Sequence, residues 1–134
     1  MAIKRLTKAD HPQSFGCFKP VGHVVVAMPD DESAARAQAA LHEAGFDAED
    51  ILLYSSAEEG DEMERMLRYT SDFAGFGYEV SLMRRYQKLA HDGASWLVVF
   101  SPDDDHTRRV TGVVRAHGAL LAEKYHRLVI EDLL

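Results

Sequence analysis

"HVVVAMPDDESAARAQAALHEAGF", residues 23–46, is repeated in outline by "WLVVFSPDDDHTRRVTGVVRAHGA", residues 96–119. Laid over each other without a gap, the two stretches match at an apolar run, at a Pro-Asp-Asp triplet and at a closing glycine, Gly45 or Gly118. A β-branched apolar run is typical of a buried strand, and glycine accommodates the left-handed residue that ends many helices. Each copy therefore predicts a strand, an acidic turn, a helix and a helix-ending glycine.

A second apolar run follows each copy and completes two βαβ units. Residues 51–54 follow the first copy and residues 120–125 follow the second. Two such units joined as a split pair form the ferredoxin-like βαβ–βαβ sandwich, an α+β fold with both helices on one face of an antiparallel sheet. We predict this fold, with the first strands of the two units adjacent and parallel. The final run, "RLVIEDLL", predicts an extra C-terminal strand that could pair with a second chain.

The segment between the two units, residues 56–92, is too long for a loop and predicts a two-helix insertion. Ser56 and Glu59 form the pattern of a capping box at the start of its first helix. A second amphipathic helix is predicted from about Tyr78 to Gly93. We therefore expect an N-terminal arm, residues 1–20, and a single domain, residues 21–134.

The joint between these two helices, "FAGFG" at residues 73–77, carries two glycines among aromatic residues. A dinucleotide-binding loop needs three spaced glycines directly after a strand, whereas a helix is predicted before this joint. Two interpretations remain: a sharp turn whose aromatic rings pack on the sheet or on a partner chain, or an aromatic-lined pocket with arginines that attract a small anionic ligand. The candidate ligand-binding residues are Tyr69, Phe73, Phe76, Tyr78, Arg84 and Arg85.

The acidic turns provide a second candidate site. If the first strands of the two units ran parallel, Asp30 and Asp31 would emerge at the same sheet edge as Asp103 and Asp104. Carboxylate oxygens are ligands that divalent cations prefer. The alternative is that these residues cap the two helices, because an aspartate at a helix start accepts hydrogen bonds from unpaired backbone N–H groups.

Composition limits the classes of function. The chain has 134 residues, 46% hydrophobic and 28% charged, with a formal net charge of −7. These values predict one soluble globular domain and argue against nucleic-acid binding, which needs clustered Lys and Arg. The single cysteine, Cys17, excludes an internal disulfide. No apolar run is typical of a signal peptide or a membrane span, and no motif calls for a cofactor, so we predict a cytoplasmic protein without a cofactor.

Three stretches support a family resemblance: residues 23–51, residues 86–104 ("YQKLAHDGASWLVVFSPDD") and residues 115–119 ("RAHGA"). Over residues 22–125 the chain resembles the bacterial general-stress, heat-induced stress protein family. The resemblance implies a cytoplasmic bacterial protein of ferredoxin-like type whose molecular activity is not established.

Two hypotheses for function follow. The first is a non-enzymatic ligand-binding or protein-interaction domain, connected with stress through the family resemblance, that forms a homodimer through an exposed sheet face or the C-terminal strand. The alternative is a small enzyme of the dimeric α+β barrel type, in which two sheets enclose an aromatic-lined pocket.

Overall fold

An antiparallel sheet of five strands is the centre of the computed structural model, which describes residues 21–55, 77–126 and 129–134, with only the backbone described for residues 77–83. The mixed α+β class is confirmed. The strands are β1 (His23–Met28), β2 (Ile51–Tyr54), β3 (Ser95–Phe100), β4 (Leu121–Tyr125) and β5 (Ile130–Asp132). The helices are α1 (Asp31–Glu43), α2 (Gly77–His91) and α3 (Asp104–Ala116), and a short 3-10 turn, Ala48–Asp50, precedes β2.

The strand order is β2-β3-β1-β4-β5. The first strands of the two repeat copies, β1 and β3, are neighbours as predicted, but the parallel pairing is wrong. They run antiparallel, with His23 opposite Phe100 and Met28 opposite Ser95. Because β3 lies between β1 and β2 and runs against both, the two strands of the first copy point the same way without touching each other.

Both repeat helices begin at an acidic turn and are followed by the glycine that the sequence predicts. The Asp30 carboxylate accepts a hydrogen bond from the Ser33 backbone N–H at 2.7 Å, and Asp103 accepts one from the His106 backbone N–H at 2.9 Å. At the other ends, Gly45 has a φ of 103° and Gly118 a φ of 83°. Residues with a side chain rarely adopt this left-handed backbone conformation, so glycine suits these two positions.

The two faces of the sheet carry separate apolar clusters. The first face, on which α1 and α3 pack, buries alternate side chains of β1 and β3 together with Leu41 and Val110. The second face, on which α2 packs, buries the other set: Val25, Ala27, Trp96 and Val98, with Tyr86 of α2 above them. Burying a large apolar side chain contributes about 1.5–3 kcal/mol, so both clusters stabilise the fold.

The predicted extra strand exists and lies within the chain's own sheet. β5 pairs antiparallel with β4, and Tyr125 lies opposite Ile130. The second helix of the insertion is also confirmed, since α2 spans the predicted residues and is followed by Gly93, with a φ of 93°. The N-terminal arm and the first insertion helix lie outside the described residues. Within the described ranges, no helix is long and apolar enough to cross a membrane.

Candidate functional site

The strand β4 places two charged side chains in the interior. β4 lies between β1 and β5, so neighbouring strands flank it on both sides. Its adjacent residues Glu123 and Lys124 have exposed fractions of only 1% and 5%. Successive side chains of a strand point to opposite faces, so Glu123 lies on the second face and Lys124 on the first. Charged residues are seldom buried to this degree unless they have partners.

Lys124 has such partners. Its ammonium group donates to the Ser101 carbonyl oxygen and, at 3.2 Å, to the Thr107 hydroxyl at the start of α3. Burial lowers the pKa of Lys124, while the negative charges of Asp104 and Asp103 oppose that change. The lysine therefore joins β4 to the first turn of α3 as a hydrogen-bonded part of the fold.

Glu123 lacks comparable partners. Its Oε1 lies 3.9 Å from the Arg85 guanidinium of α2, whose side chain is half exposed. Its Oε2 is buried, and no residue within the described ranges forms a hydrogen bond with it. Burial, together with the negative charge of Asp132, raises the pKa of Glu123 to about 7, and Arg85 only partly opposes this. Near neutral pH, this carboxyl group exists in both its protonated and its ionised form.

Aromatic side chains share the second face with Glu123. The hydroxyl groups of Tyr86 and Tyr125 are 3.0 Å apart, and the ring centroids of Tyr86 and Trp96 are 5.2 Å apart. The Trp96 indole nitrogen is buried without a hydrogen-bond partner, as is Glu123 Oε2. A buried polar atom left unpaired costs about 1–3 kcal/mol. The second face thus presents an unpaired donor and an unpaired acceptor among aromatic rings.

The structure describes only some of the residues of the predicted aromatic site. Arg84 and Arg85 are exposed on α2, and Arg85 approaches the Glu123 carboxyl group. Tyr78 lies in the first turn of α2. The side chain of Tyr78 and the residues Tyr69, Phe73 and Phe76 lie outside the described part of the chain.

The structure does not bring the predicted carboxylate site together. Because β1 and β3 are antiparallel, Asp30 and Asp31 follow the strand end at Met28, whereas Asp103 and Asp104 follow Phe100 at the opposite end of the sheet. A single cation site made from both turns is therefore wrong. The capping interpretation accounts for Asp30, and Asp31 accepts a hydrogen bond from the Ser95 hydroxyl.

The second turn forms a smaller acidic cluster. Ligand-type atoms of Asp103, Asp105 and His106 lie within 4.8 Å of one another. Asp103 accepts hydrogen bonds from the backbone and ring of His106, which lower its pKa, and Asp105 pairs with Arg109 at 3.0 Å. Helix capping and ion pairing therefore account for these side chains.

Sequence reasoning missed Glu123. The sequence of residues 120–125 predicts only a strand, although two consecutive charged residues, Glu123 and Lys124, interrupt its apolar pattern. In a strand flanked on both sides, such a pair must bury one charge on each face. That signal becomes usable once β5 is placed beside β4, because β5 makes β4 an interior strand.

Comparison with known proteins adds no relative. No family model matches the chain, and no significant match is found among the curated proteins or the solved structures. The geometry of the second face is therefore the basis of the proposed function.

Proposed function

We propose that this chain is a small, non-enzymatic binding domain of ferredoxin-like type that holds a small molecule between α2 and the second face of the sheet. The support for the fold type is the order of β2, β3, β1 and β4, in which two βαβ units interleave. The resemblance to the heat-induced stress proteins, the cytoplasmic location and the homodimer stay predictions.

One observation carries the binding proposal: Glu123 is 1% exposed, and its Oε2 has no hydrogen-bond partner among the residues that the structure describes. An uncompensated buried carboxyl group opposes folding, and its pKa of about 7 expresses that cost. Groups that are poorly satisfied in the empty protein are typical of sites that a ligand completes. The unpaired Trp96 indole nitrogen on the same face supplies a second unmet hydrogen bond.

The position of α2 weighs against the dimeric barrel alternative. In a dimeric α+β barrel, the second face would meet the sheet of another subunit. Here Tyr86 is buried, and Leu89 and Ala90 pack against the apolar cluster of that face. A second sheet would have to displace α2 to reach these positions.

A ligand screen tests the proposal. Because a ligand that binds only the folded state raises the melting temperature, the purified chain is screened by thermal shift against small amines, acids, alcohols, nucleotides and divalent cations. Native mass spectrometry of the same sample reports any retained small molecule and the size of the oligomer. We expect at least one class to raise the melting temperature in a concentration-dependent way.

Two matched variants connect the response to the site. Glu123→Gln is expected to lose the shift, whereas Glu43→Gln, at an exposed position on α1, is expected to keep it. A flat response to all classes, with no retained molecule, would contradict the binding proposal and leave a protein-interaction role. An undiminished shift in Glu123→Gln would place the ligand elsewhere.

A further inference from the structure

The second face has more negative than positive charge around its unpaired acceptor. Asp132 of β5 lies directly opposite Glu123 in the sheet, and paired residues of neighbouring strands share a face. The Arg85 guanidinium is 3.9 Å from Oε1 and half exposed, so water screens its charge. Glu123 Oε2 receives no donor. A cation bound beside Oε2 would balance the excess negative charge and would also give Oε2 a hydrogen-bond donor.

Other groups around Glu123 agree with this. Val25, its partner on β1, carries no charge. Among the described side chains of β4 and α2, the hydroxyl groups of Tyr125 and Tyr86 share a hydrogen bond on this face and carry no positive charge. Arg85 is thus the one cationic group shown near the carboxyl group in the described part of the chain.

The aromatic rings favour an organic cation over a bare metal ion. Tyr86, Trp96 and Tyr125 belong to the same buried cluster as Val25, which pairs with Glu123. The face of an aromatic ring attracts an ammonium group by about 0.5–2 kcal/mol. Divalent cations prefer several oxygen ligands, whereas the side chains of this buried cluster are aromatic and aliphatic.

We infer that the site between α2 and the second face takes a small organic ammonium ion, with Glu123 as its counter-ion and the aromatic rings around its alkyl part. This inference rests on the proposed binding function and specifies its ligand class. It differs from the anionic ligand that Arg84 and Arg85 suggest from the sequence, because the Arg85 guanidinium is directed to a carboxyl group of the protein.

The inference predicts proton release on binding. An ammonium ion stabilises the ionised form of Glu123 and so lowers its pKa from about 7. At pH 7, where about half of the carboxyl groups are protonated, binding should release about half a proton. Because only the ionised form is competent, the affinity should rise about tenfold from pH 6 to pH 8. An anionic ligand would cause proton uptake and the reverse dependence.

Three probes of matched length test the ligand class: n-butylammonium, butyrate and 1-butanol, each up to about 10 mM, the range of weak binding. Calorimetry in two buffers of different ionisation enthalpy measures the protons exchanged at pH 7 and pH 8.5. We expect butylammonium to bind best, with proton release at pH 7 and almost none at pH 8.5.

Paired variants locate the effect. Glu123→Gln should abolish both binding and proton release. Arg85→Gln should tighten butylammonium binding severalfold because it removes the competing cation, whereas Arg84→Gln, the adjacent exposed position, should change nothing. If Glu123→Gln failed to fold, the comparison of Arg85→Gln with Arg84→Gln would still decide the matter.

The outcomes separate the two proposals. Preferential binding of butyrate, or equal binding of all three probes without proton release, would overturn the ammonium inference and leave the binding function standing. Binding by none of the probes, while the broader screen finds another class, would also overturn only the ammonium inference. A null result in both experiments would overturn both proposals.

Discussion

The two faces of the sheet bury opposite charges from adjacent positions of β4, and their surroundings differ. On the first face Lys124 donates to the Ser101 carbonyl oxygen and the Thr107 hydroxyl. On the second face no described residue donates a hydrogen bond to Glu123 Oε2, and the Arg85 guanidinium is 3.9 Å from Oε1. Lys124 is therefore satisfied within the fold whereas Glu123 is not, although Arg109 Nε of α3 is also buried without a hydrogen-bond partner among the described residues. Burial alone therefore does not reveal the candidate site; the lack of hydrogen bonds does.

The largest expected effect comes from comparing the loss of one leucine side chain on each face of the sheet. Leu41→Ala, at a fully buried position on the inner side of α1, should lower the free energy of unfolding by about 3 kcal/mol, since it removes apolar area and leaves a cavity. Leu89→Ala, at a partly buried position of α2, should lower it by about 1–2 kcal/mol. Urea unfolding of both variants measures the difference. An equal or larger loss at Leu89 would contradict this ranking.

The next prediction concerns the satisfied charge. Lys124→Met keeps a side chain of similar length but removes the donor to the Ser101 carbonyl oxygen. The free energy of unfolding should therefore fall by about 1–3 kcal/mol. The control is Lys88→Met, whose ion pair with Asp92 is exposed and should contribute less than about 1 kcal/mol. Urea unfolding at pH 7 measures both. A neutral or stabilising Lys124→Met would mean that desolvation of the ammonium group outweighs its hydrogen bonds.

The unsatisfied charge should behave oppositely. The pKa of Glu123 rises from 4.5 to about 7 in the folded protein, so the folded state binds more protons between these values and stability falls as pH increases through this window. At pH 8, Glu123→Gln should be more stable than the natural chain by about 2–3 kcal/mol, and at pH 4.5 the difference should nearly vanish.

The measurement is urea unfolding of both proteins across this pH range, with Glu43→Gln as the exposed control. An equal effect of Glu123→Gln at both pH values would show that the carboxyl group is not desolvated.

The lowered pKa values of Asp30 and Asp103 affect stability in a different pH range. Their hydrogen-bonded, ionised forms stabilise the fold above the ordinary pKa of 3.8, and this stabilisation is lost as pH falls below that value.

The smallest expected effect distinguishes capping from metal binding at the acidic turn. Asp103→Ala removes the acceptor for the His106 backbone N–H and should lower the melting temperature by a few degrees, whereas Asp103→Asn keeps a capping oxygen and should lower it less. Adding Mg²⁺ or Ca²⁺ should leave the melting temperature of the natural chain unchanged. A metal-dependent rise that Asp103→Asn abolishes would favour a cation site instead.

The local elements could be predicted because their signals are local. Capping aspartates and helix-ending glycines act within one helical turn, so the acidic turns and Gly45 and Gly118 locate both repeat helices correctly. In an antiparallel sheet with β1 and β3 as neighbours, these two strands must run in opposite directions. The predicted parallel pairing is therefore inconsistent with the predicted fold. The wrong direction then led directly to the wrong carboxylate site.

The candidate site could not be predicted for a related reason. Tyr86 and Tyr125 are far apart in the chain, yet their hydroxyl groups are 3.0 Å apart. Only the position of α2 across the second face brings them together. Glu123 lies in an interior strand because the short strand β5, Ile130–Asp132, pairs with β4.

The interleaving of β3 between β1 and β2 also determines how the duplicated chain can be divided. The repeat suggests two independent units in the sequence. In the structure, however, β1 and β2 of the first copy do not pair with each other, because β3 of the second copy lies between them. Each copy completes the hydrogen bonding of the other. If the chain were cut between the two copies, each half alone would therefore remain unstructured. The sheet would form again only when the two halves were mixed.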